Sequence, residues 1–154
     1  MKKNLHRIIM SALLTVLATV AASAQCYIVG SDNEWKTNTA AAELAETATT
    51  GVYEGDVTFV NGAQYFTVTQ HLTTGDDDWT EFNKNRFAPP VFDAMLVINE
   101  PMTMVKGRDA SFKVPVAGTT YRMRIDFNNL TVTLLGDFPD KLYVWGSDGV
   151  FDPT

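Results

Sequence analysis

The chain has 154 residues, of which 45% are apolar and 19% charged, with a formal net charge of −6 and one cysteine. This length suits one domain and a small addition. The acidic balance excludes a nucleic-acid-binding surface, which needs clustered lysine and arginine. A single cysteine cannot form an internal disulfide, so no cystine framework holds the fold.

The first 24 residues have the pattern of a secretory signal peptide. A basic start with Lys2, Lys3 and Arg7 precedes fourteen mainly apolar residues, 8–21, and small residues follow at 22–24. The alternative, a transmembrane helix, needs about 20 apolar residues, and this stretch is shorter. Cleavage after position 24 would leave nine basic and eighteen acidic residues, a charge of −9, on an exported chain.

Cys26 lies two residues after the predicted cleavage point, so it is a candidate lipid-attachment residue. Lipid attachment needs a small residue just before the cysteine, whereas Gln25 stands there. The alternative is a free thiol at the start of a strand. The sequence therefore predicts an exported protein, at the outer membrane or cell surface, or periplasmic if Cys26 is not lipidated.

The pattern of the remaining chain predicts short β-strands. In residues 52–60 apolar and polar side chains alternate, and the Asn-Gly pair at 61–62 predicts a turn into a strand with Phe66 and Val68 inward. Residues 39–48 place alanine and leucine at helical spacing, which leaves a short helix and an extended segment both open.

The clearest alternation predicts a hairpin near the end of the chain. Residues 120–127 place apolar side chains on one face, Asn128-Asn129 predicts a tight turn, and Leu130, Val132 and Leu134 resume the inward face. Phe112, Val114 and Val116 alternate in another short predicted strand, and weaker strands are predicted at 95–99 and 103–106. Short strands separated by turns indicate an all-β fold, an antiparallel sandwich.

A six-residue motif occurs twice, 116 residues apart. Residues 27–32, Tyr-Ile-Val-Gly-Ser-Asp, recur as residues 143–148, Tyr-Val-Trp-Gly-Ser-Asp, with four identical positions. The repeat predicts one β-sandwich module at 25–138 and the first strand of a second, truncated module at 139–154. The alternative is chance similarity between two strands that end in turns.

Several of these segments carry a resemblance to a known family. The run 27–30 followed by Trp35 resembles the start of modules in SusE and SusF, starch-utilisation outer-membrane proteins of Bacteroidetes-type bacteria. Residues 51–59 and 64–66 are similar to their second and third strands, and 79–82 to their tryptophan-containing loop. The same aromatic pattern is found in starch-binding carbohydrate modules generally.

The resemblance implies an immunoglobulin-like β-sandwich that binds α-glucan or another polysaccharide at a cell surface, beside other outer-membrane glycan-uptake proteins. It also implies that the segment after Trp35 is extended rather than helical. One departure concerns the strand after the Asn-Gly turn, where starch-binding modules often carry a lysine. Here Thr67 and Thr69 occupy that strand.

Sugar recognition pairs a flat exposed aromatic ring with polar groups, because a pyranose has an apolar C–H face and a rim of hydroxyls. The sequence predicts Trp79, Trp35, Tyr65, Asp78 and Lys84 as ligand-binding residues. The alternative for each tryptophan is a ring that caps the core at one end of the sandwich. The alternative for Tyr65 is cross-strand packing.

The sequence predicts no catalytic residue, cofactor or metal site. After removal of the signal only His71 and Cys26 remain as histidine and cysteine, too few ligands for a zinc site. The acidic run at 76–78 lacks the ligand spacing of an EF-hand, which favours a solvated loop over a calcium site.

Two functions stay open: a carbohydrate-binding module, and a structural or adhesive spacer domain of a surface repeat protein. Exposure of Trp35 and Trp79 on one surface would favour the first.

Overall fold

The computed structural model describes residues 25–60, 62–136, 145–146 and 149–150. The predicted signal peptide at 1–24 and Asn61 of the predicted Asn-Gly turn lie outside the described residues, as does most of the predicted second module at 139–154.

The described residues are mainly β-strand, which confirms the all-β prediction. The first strands are β1 (Cys26–Gly30), β2 (Ala42–Glu46), β3 (Val52–Thr58), β4 (Tyr65–Thr69) and β5 (Arg86–Ala88). Then follow β6 (Ala94–Met95), β7 (Met102–Thr103), β8 (Val105–Lys106), β9 (Phe112–Lys113), β10 (Thr120–Asp126) and β11 (Thr131–Leu135). A short 3-10 helix spans Ser31–Asn33, and the α-helix α1 spans Trp79–Asn85.

Strands β1 to β11 form one sheet that curls around a single core, in the order β6-β9-β4-β1-β2-β3-β10-β11-β7, with β5 attached to β4 and β8 attached to β5. The curl occurs at β2, whose residues 42–44 pair with β1 while Ala45 and Glu46 pair with β3. All pairs are antiparallel except β6 with β9 and an isolated bridge between Ile98 and Leu134.

The two ends of this curled sheet meet at residues 94–99. On one side the Leu96 amide donates to the Lys113 carbonyl over 2.9 Å, beside β9. On the other side the Asn99 amide donates to the Leu134 carbonyl of β11 over 2.7 Å. This segment therefore bridges the outer strands of the sheet and closes the curl.

The alternation read from the sequence describes the core well. In β10 the residues Tyr121, Met123 and Ile125 are buried while their neighbours are exposed. Nine further inward positions predicted from alternation are buried as well: Tyr53, Val57, Phe59, Phe66, Val68, Phe112, Val114, Val132 and Leu134. A pleated strand with one face in water produces this pattern directly.

The hairpin between β10 and β11 differs from the prediction. Its loop has four residues, 127–130, because Asp126 pairs with Thr131. The positive φ falls on Leu130 (52°), which is 41% exposed and does not join the inward face. The Asp126 carboxylate accepts hydrogen bonds from the Asn128 amide (2.8 Å) and the Asn129 amide (3.0 Å), which favours the longer loop.

The structure can be compared with the sequence predictions at three further places. The ambiguous segment 39–48 contains strand β2, in agreement with the extended alternative. Val116, which alternates with the buried Phe112 and Val114, is 57% exposed. Thr67, which alternates with the predicted inward residues Phe66 and Val68, is also buried, and its hydroxyl donates to the Phe87 carbonyl over 2.6 Å. Trp79, predicted within an acidic loop, begins helix α1.

The repeated motif has a glycine for a steric reason in its first copy. A Cβ added at Gly30 would collide with the Tyr65 carbonyl oxygen and lie 2.8 Å from the Phe66 Cα, because β4 passes directly over this position. In the second copy β12 (Trp145–Gly146) pairs with β13 (Gly149–Val150) in a separate small hairpin. The first copy instead continues from β1 into the 3-10 helix.

Candidate functional site

Trp35 and Trp79 lie side by side although 43 residues of sequence separate them. Their ring centroids are 6.4 Å apart and the ring planes are inclined by 48°. Each side chain is half-buried, so each still presents part of its ring to solvent. The structure therefore joins the two tryptophans predicted for ligand binding on one surface.

Trp35 is held in an unusual backbone conformation. Glu34 and Trp35 both have positive φ, 57° and 61°, which costs roughly 1–2 kcal/mol for each residue with a side chain. The turn is fixed by Asn33, whose side-chain amide donates to the Lys36 and Thr39 carbonyls, each over 2.8 Å. Strain of this kind on a bulky residue is concentrated at binding sites.

Thr37 connects the loop of Trp35 to the acidic loop before Trp79. The Thr37 side chain is fully buried, and its hydroxyl donates to the Gly75 carbonyl over 2.9 Å. The same oxygen accepts from the Thr73 hydroxyl (2.6 Å) and the Asp78 amide (3.1 Å). This network determines how the two tryptophan loops sit against each other, and the sequence analysis did not identify it.

Trp79 is the first residue of helix α1. The Asp78 carboxylate accepts a hydrogen bond from the Glu81 amide over 3.1 Å, the usual role of an aspartate before a helix. The Trp79 ring then packs edge-on against buried Phe82, with centroids 5.6 Å apart. Asp78, predicted to contact a ligand, thus orients the platform by capping its helix.

Beneath Trp79 lies Arg86, which sequence reasoning missed. Its side chain is only 3% exposed, and its guanidinium carbon lies 6.0 Å from the centroid of the Trp79 ring. The Arg86 Nη2 forms an ion pair with the Asp109 carboxylate, whose side chain is 85% exposed. The Arg86 Nε is buried without a hydrogen-bond partner in the described part of the chain.

These groups line a shallow cleft of about 240 Å³, which we call the aromatic cleft. It is lined by Trp35, Trp79, Arg86, Phe92, Asp109, Ala110 and Ser111. Phe92 is 67% exposed, and the Arg108 guanidinium carbon lies 5.7 Å from its ring centroid. Three aromatic rings beside an ion pair and a hydroxyl combine an apolar surface with hydrogen-bonding groups, the composition that sugar sites use.

Two of the predicted ligand-binding residues lie elsewhere. Tyr65 pairs with Lys113, whose ammonium nitrogen lies 5.4 Å from the tyrosine ring centroid, at the end of β4 opposite the Thr69–Arg86 pair. Tyr65 and Thr69 are four residue steps apart along the strand, about 13 Å. Lys84 is exposed and pairs with Glu81 at 3.0 Å. Neither side chain lines the aromatic cleft.

Cys26 is buried in β1. Burial raises the pKa of its thiol well above the ordinary value, because the thiolate would lose its hydration. In this conformation the sulfur is an inert core atom.

In residues 25–60 and 62–136 no cluster of three histidine, cysteine, aspartate or glutamate side chains is arranged to hold a metal ion. Within the described residues no helix has the length and apolar character needed to span a membrane. Comparison with known proteins finds no matching family model, no similar curated protein and no similar solved structure. The functional argument therefore depends on the geometry of the aromatic cleft.

Proposed function

We propose that this chain is a non-catalytic carbohydrate-binding module of an exported protein, and that the aromatic cleft holds its sugar ligand. The observation that carries the proposal is the contact between Trp35 and Trp79 at 6.4 Å, with both rings half-buried. Both rings keep a solvent-exposed part on the same surface, which stacking against a sugar ring requires.

The shape of the cleft suggests how a sugar would sit. The ring planes are inclined by 48°, so they meet a ligand from two directions and do not form one flat platform. A volume of about 240 Å³ lies below the usual range of roughly 300–1,000 Å³ for ligand pockets, and it suits one or two sugar rings. Such geometry favours a bent chain, as in an α-glucan, over a flat ribbon.

The wider setting is part of the same proposal. The signal-peptide pattern at 1–24 supports export, and the burial of Cys26 in β1 favours the periplasmic alternative over lipid attachment at this cysteine. We place the module among outer-membrane glycan-uptake proteins, and we propose that its curled sheet is a variant of the immunoglobulin-like β-sandwich. Starch and related glucans are the first ligands to test.

A direct test is electrophoresis of the purified protein in native gels cast with amylopectin or with other polysaccharides. Binding retards migration. Trp79→Ala should weaken retardation at least tenfold, because removing the stacking ring forfeits about 1.5–3 kcal/mol of apolar contact. Val116→Ala is the matched control, since Val116 is 57% exposed and lies outside the cleft.

Because Trp79 also packs on Phe82, weaker retardation of Trp79→Ala is evidence for a binding role only if the variant keeps the unfolding midpoint of the wild-type protein. Trp35→Phe is a second variant for the same gels, because it reduces the area of the stacking surface while keeping an aromatic ring at that position. Absence of retardation by any polysaccharide, with folded protein, would refute the binding function.

The second candidate function is a structural or adhesive spacer domain. It is favoured by the repeat of residues 27–32 at 143–148, which is expected of a chain built from several modules. Refuting the binding function would leave this candidate.

A further inference from the structure

The charge of the aromatic cleft is balanced before any ligand arrives. Arg86 lies at its floor with a side chain only 3% exposed, and its guanidinium is already paired with Asp109. The Asp109 side chain is 85% exposed, so the charge that this pair presents to solvent is the carboxylate.

The surroundings of the cleft add further negative charge. The Asp93 carboxylate accepts a hydrogen bond from the hydroxyl of Ser111, a cleft residue, over 2.8 Å. The acidic run at 76–78 is joined to the Trp35 loop through Thr37. Arg108, above Phe92, opposes these charges only in part.

One hydrogen-bonding edge of the Arg86 guanidinium is only partly paired. A guanidinium can bind one carboxylate through two parallel N–H groups, and Nη2 and Nε form such an edge. Here Asp109 engages Nη2, while Nε is buried without a partner among the described residues. The edge is therefore only half used.

From these observations we propose that Asp109 determines the specificity of the cleft. Resting on the proposed carbohydrate-binding function, the inference is that Asp109 neutralises Arg86, offers its carboxylate to sugar hydroxyls and repels carboxylate- or sulfate-bearing sugars. The cleft then selects uncharged glycans. Without Asp109, the Arg86 edge beside the Trp79 ring would become a site for the carboxylate of a uronic acid.

The experiment compares wild-type protein, Asp109→Asn and Asp56→Asn in gels that contain a neutral polymer, such as amylopectin or a mixed-linkage β-glucan, or polygalacturonate. Asp56→Asn makes the same charge change at a residue 66% exposed on β3, outside the cleft. Asp109→Glu keeps the carboxylate and is the conservative rescue variant.

We expect wild-type protein to be retarded by a neutral polymer and to migrate freely through polygalacturonate. Asp109→Asn should bind polygalacturonate about tenfold more tightly than wild type and Asp56→Asn, since one repulsive charge near contact is removed and Arg86 is freed. This gain should decrease between about 0.05 and 0.5 M NaCl, because salt screens the attraction. Asp109→Glu should behave as wild type.

The inference is overturned if wild-type protein prefers polygalacturonate, a result that needs no variant to fold. It is also overturned if folded Asp109→Asn and Asp56→Asn behave alike while neutral polymers still bind. If no polymer retards the folded wild-type protein, the proposed function itself fails, which is a distinguishable outcome.

Discussion

The hydroxyl of Thr37 offers a way to perturb the geometry of the two tryptophans without touching either ring. Thr37→Val keeps the shape of the side chain but removes the oxygen that joins Gly75, Thr73 and Asp78. We expect the variant to be less stable and to bind its ligand more weakly, because the Trp35 loop then keeps the backbone bond from the Thr37 amide to the Asp76 carbonyl but loses the hydroxyl bond to the Asp78 amide at the start of helix α1.

The size of the effect follows from which partners can pair again. The Thr73 hydroxyl lies 2.7 Å from the Gly75 carbonyl, so these two groups can bond to each other once Thr37 has lost its oxygen. The Asp78 amide has no such replacement; a buried unpaired N–H costs about 1–3 kcal/mol, and we expect a value near the lower end because this bond is only partly buried. For a domain of this size the melting temperature should fall by roughly 4–12 °C.

Urea unfolding of wild type, Thr37→Val and Thr37→Ser separates the hydroxyl from the methyl group. The serine variant keeps the oxygen and should be the more stable of the two variants. Equal stability of the valine and serine variants would refute the reasoning, as would a valine variant with wild-type affinity for a polysaccharide that binds the cleft.

Three further predictions concern the rest of the fold. Gly30→Ala should cost roughly 1–3 kcal/mol, since the new methyl meets the backbone of β4, whereas Gly75→Ala has open space around it and should leave the urea midpoint unchanged. Cys26 should resist a thiol reagent until urea unfolds the protein. Because burial raises the pKa of the Cys26 thiol, the free energy of unfolding keeps its full value below pH 9.0, the ordinary pKa. Above that pH it falls by about 1.4 kcal/mol per pH unit, and Cys26→Ala should remove this dependence. Hydrogen bonds and charge from Arg124 and Arg122 lower the pKa of Glu54. Its ion pairs therefore stabilise the fold above pH 4.5, the ordinary pKa, and this stabilisation is lost as the pH falls. Glu54→Gln should make the urea midpoint less dependent on pH between about pH 6 and pH 3.

The core could be predicted from sequence because alternation within one strand is a local property. Residues 120–126 specify their inward face whatever lies on the other side of the sheet. The prediction that Leu130 faces inward was wrong, because the carboxylate of Asp126 favours a longer loop and the longer loop shifts the register after the turn. Segment 39–48 has helical spacing, yet its pairing with β1 and β3 outweighs the weak helix propensity of a short segment.

Helix α1 was missed for the opposite reason. Seven residues are too few to show a helical period, and the acidic run before it is typical of a loop. One signal was present: Asp78 followed three residues later by Glu81 is a known helix start.

The candidate site could be predicted only in part. Trp35 and Trp79 stood out as aromatic residues in polar surroundings, but their contact depends on the buried hydroxyl of Thr37. Arg86 and Asp109 are charged residues 23 positions apart, and nothing in the sequence marks them as partners. Tyr65 lies on β4, the strand in which Thr69 pairs with Arg86 of the cleft, but it is at the opposite end of that strand.

The bridging segment 94–99 also affects how the sheet meets other polypeptide chains. Strands at the edge of a sheet present unpaired N–H and C=O groups that can pair with another chain. The segment pairs with β9 on one side and bridges Leu134 of β11 on the other, while β7 covers Thr131 and Val132 of β11. A proteolytic cut near Val97, a side chain 51% exposed, would therefore leave the edge of β9 and the Leu134 end of β11 open to pairing with other chains.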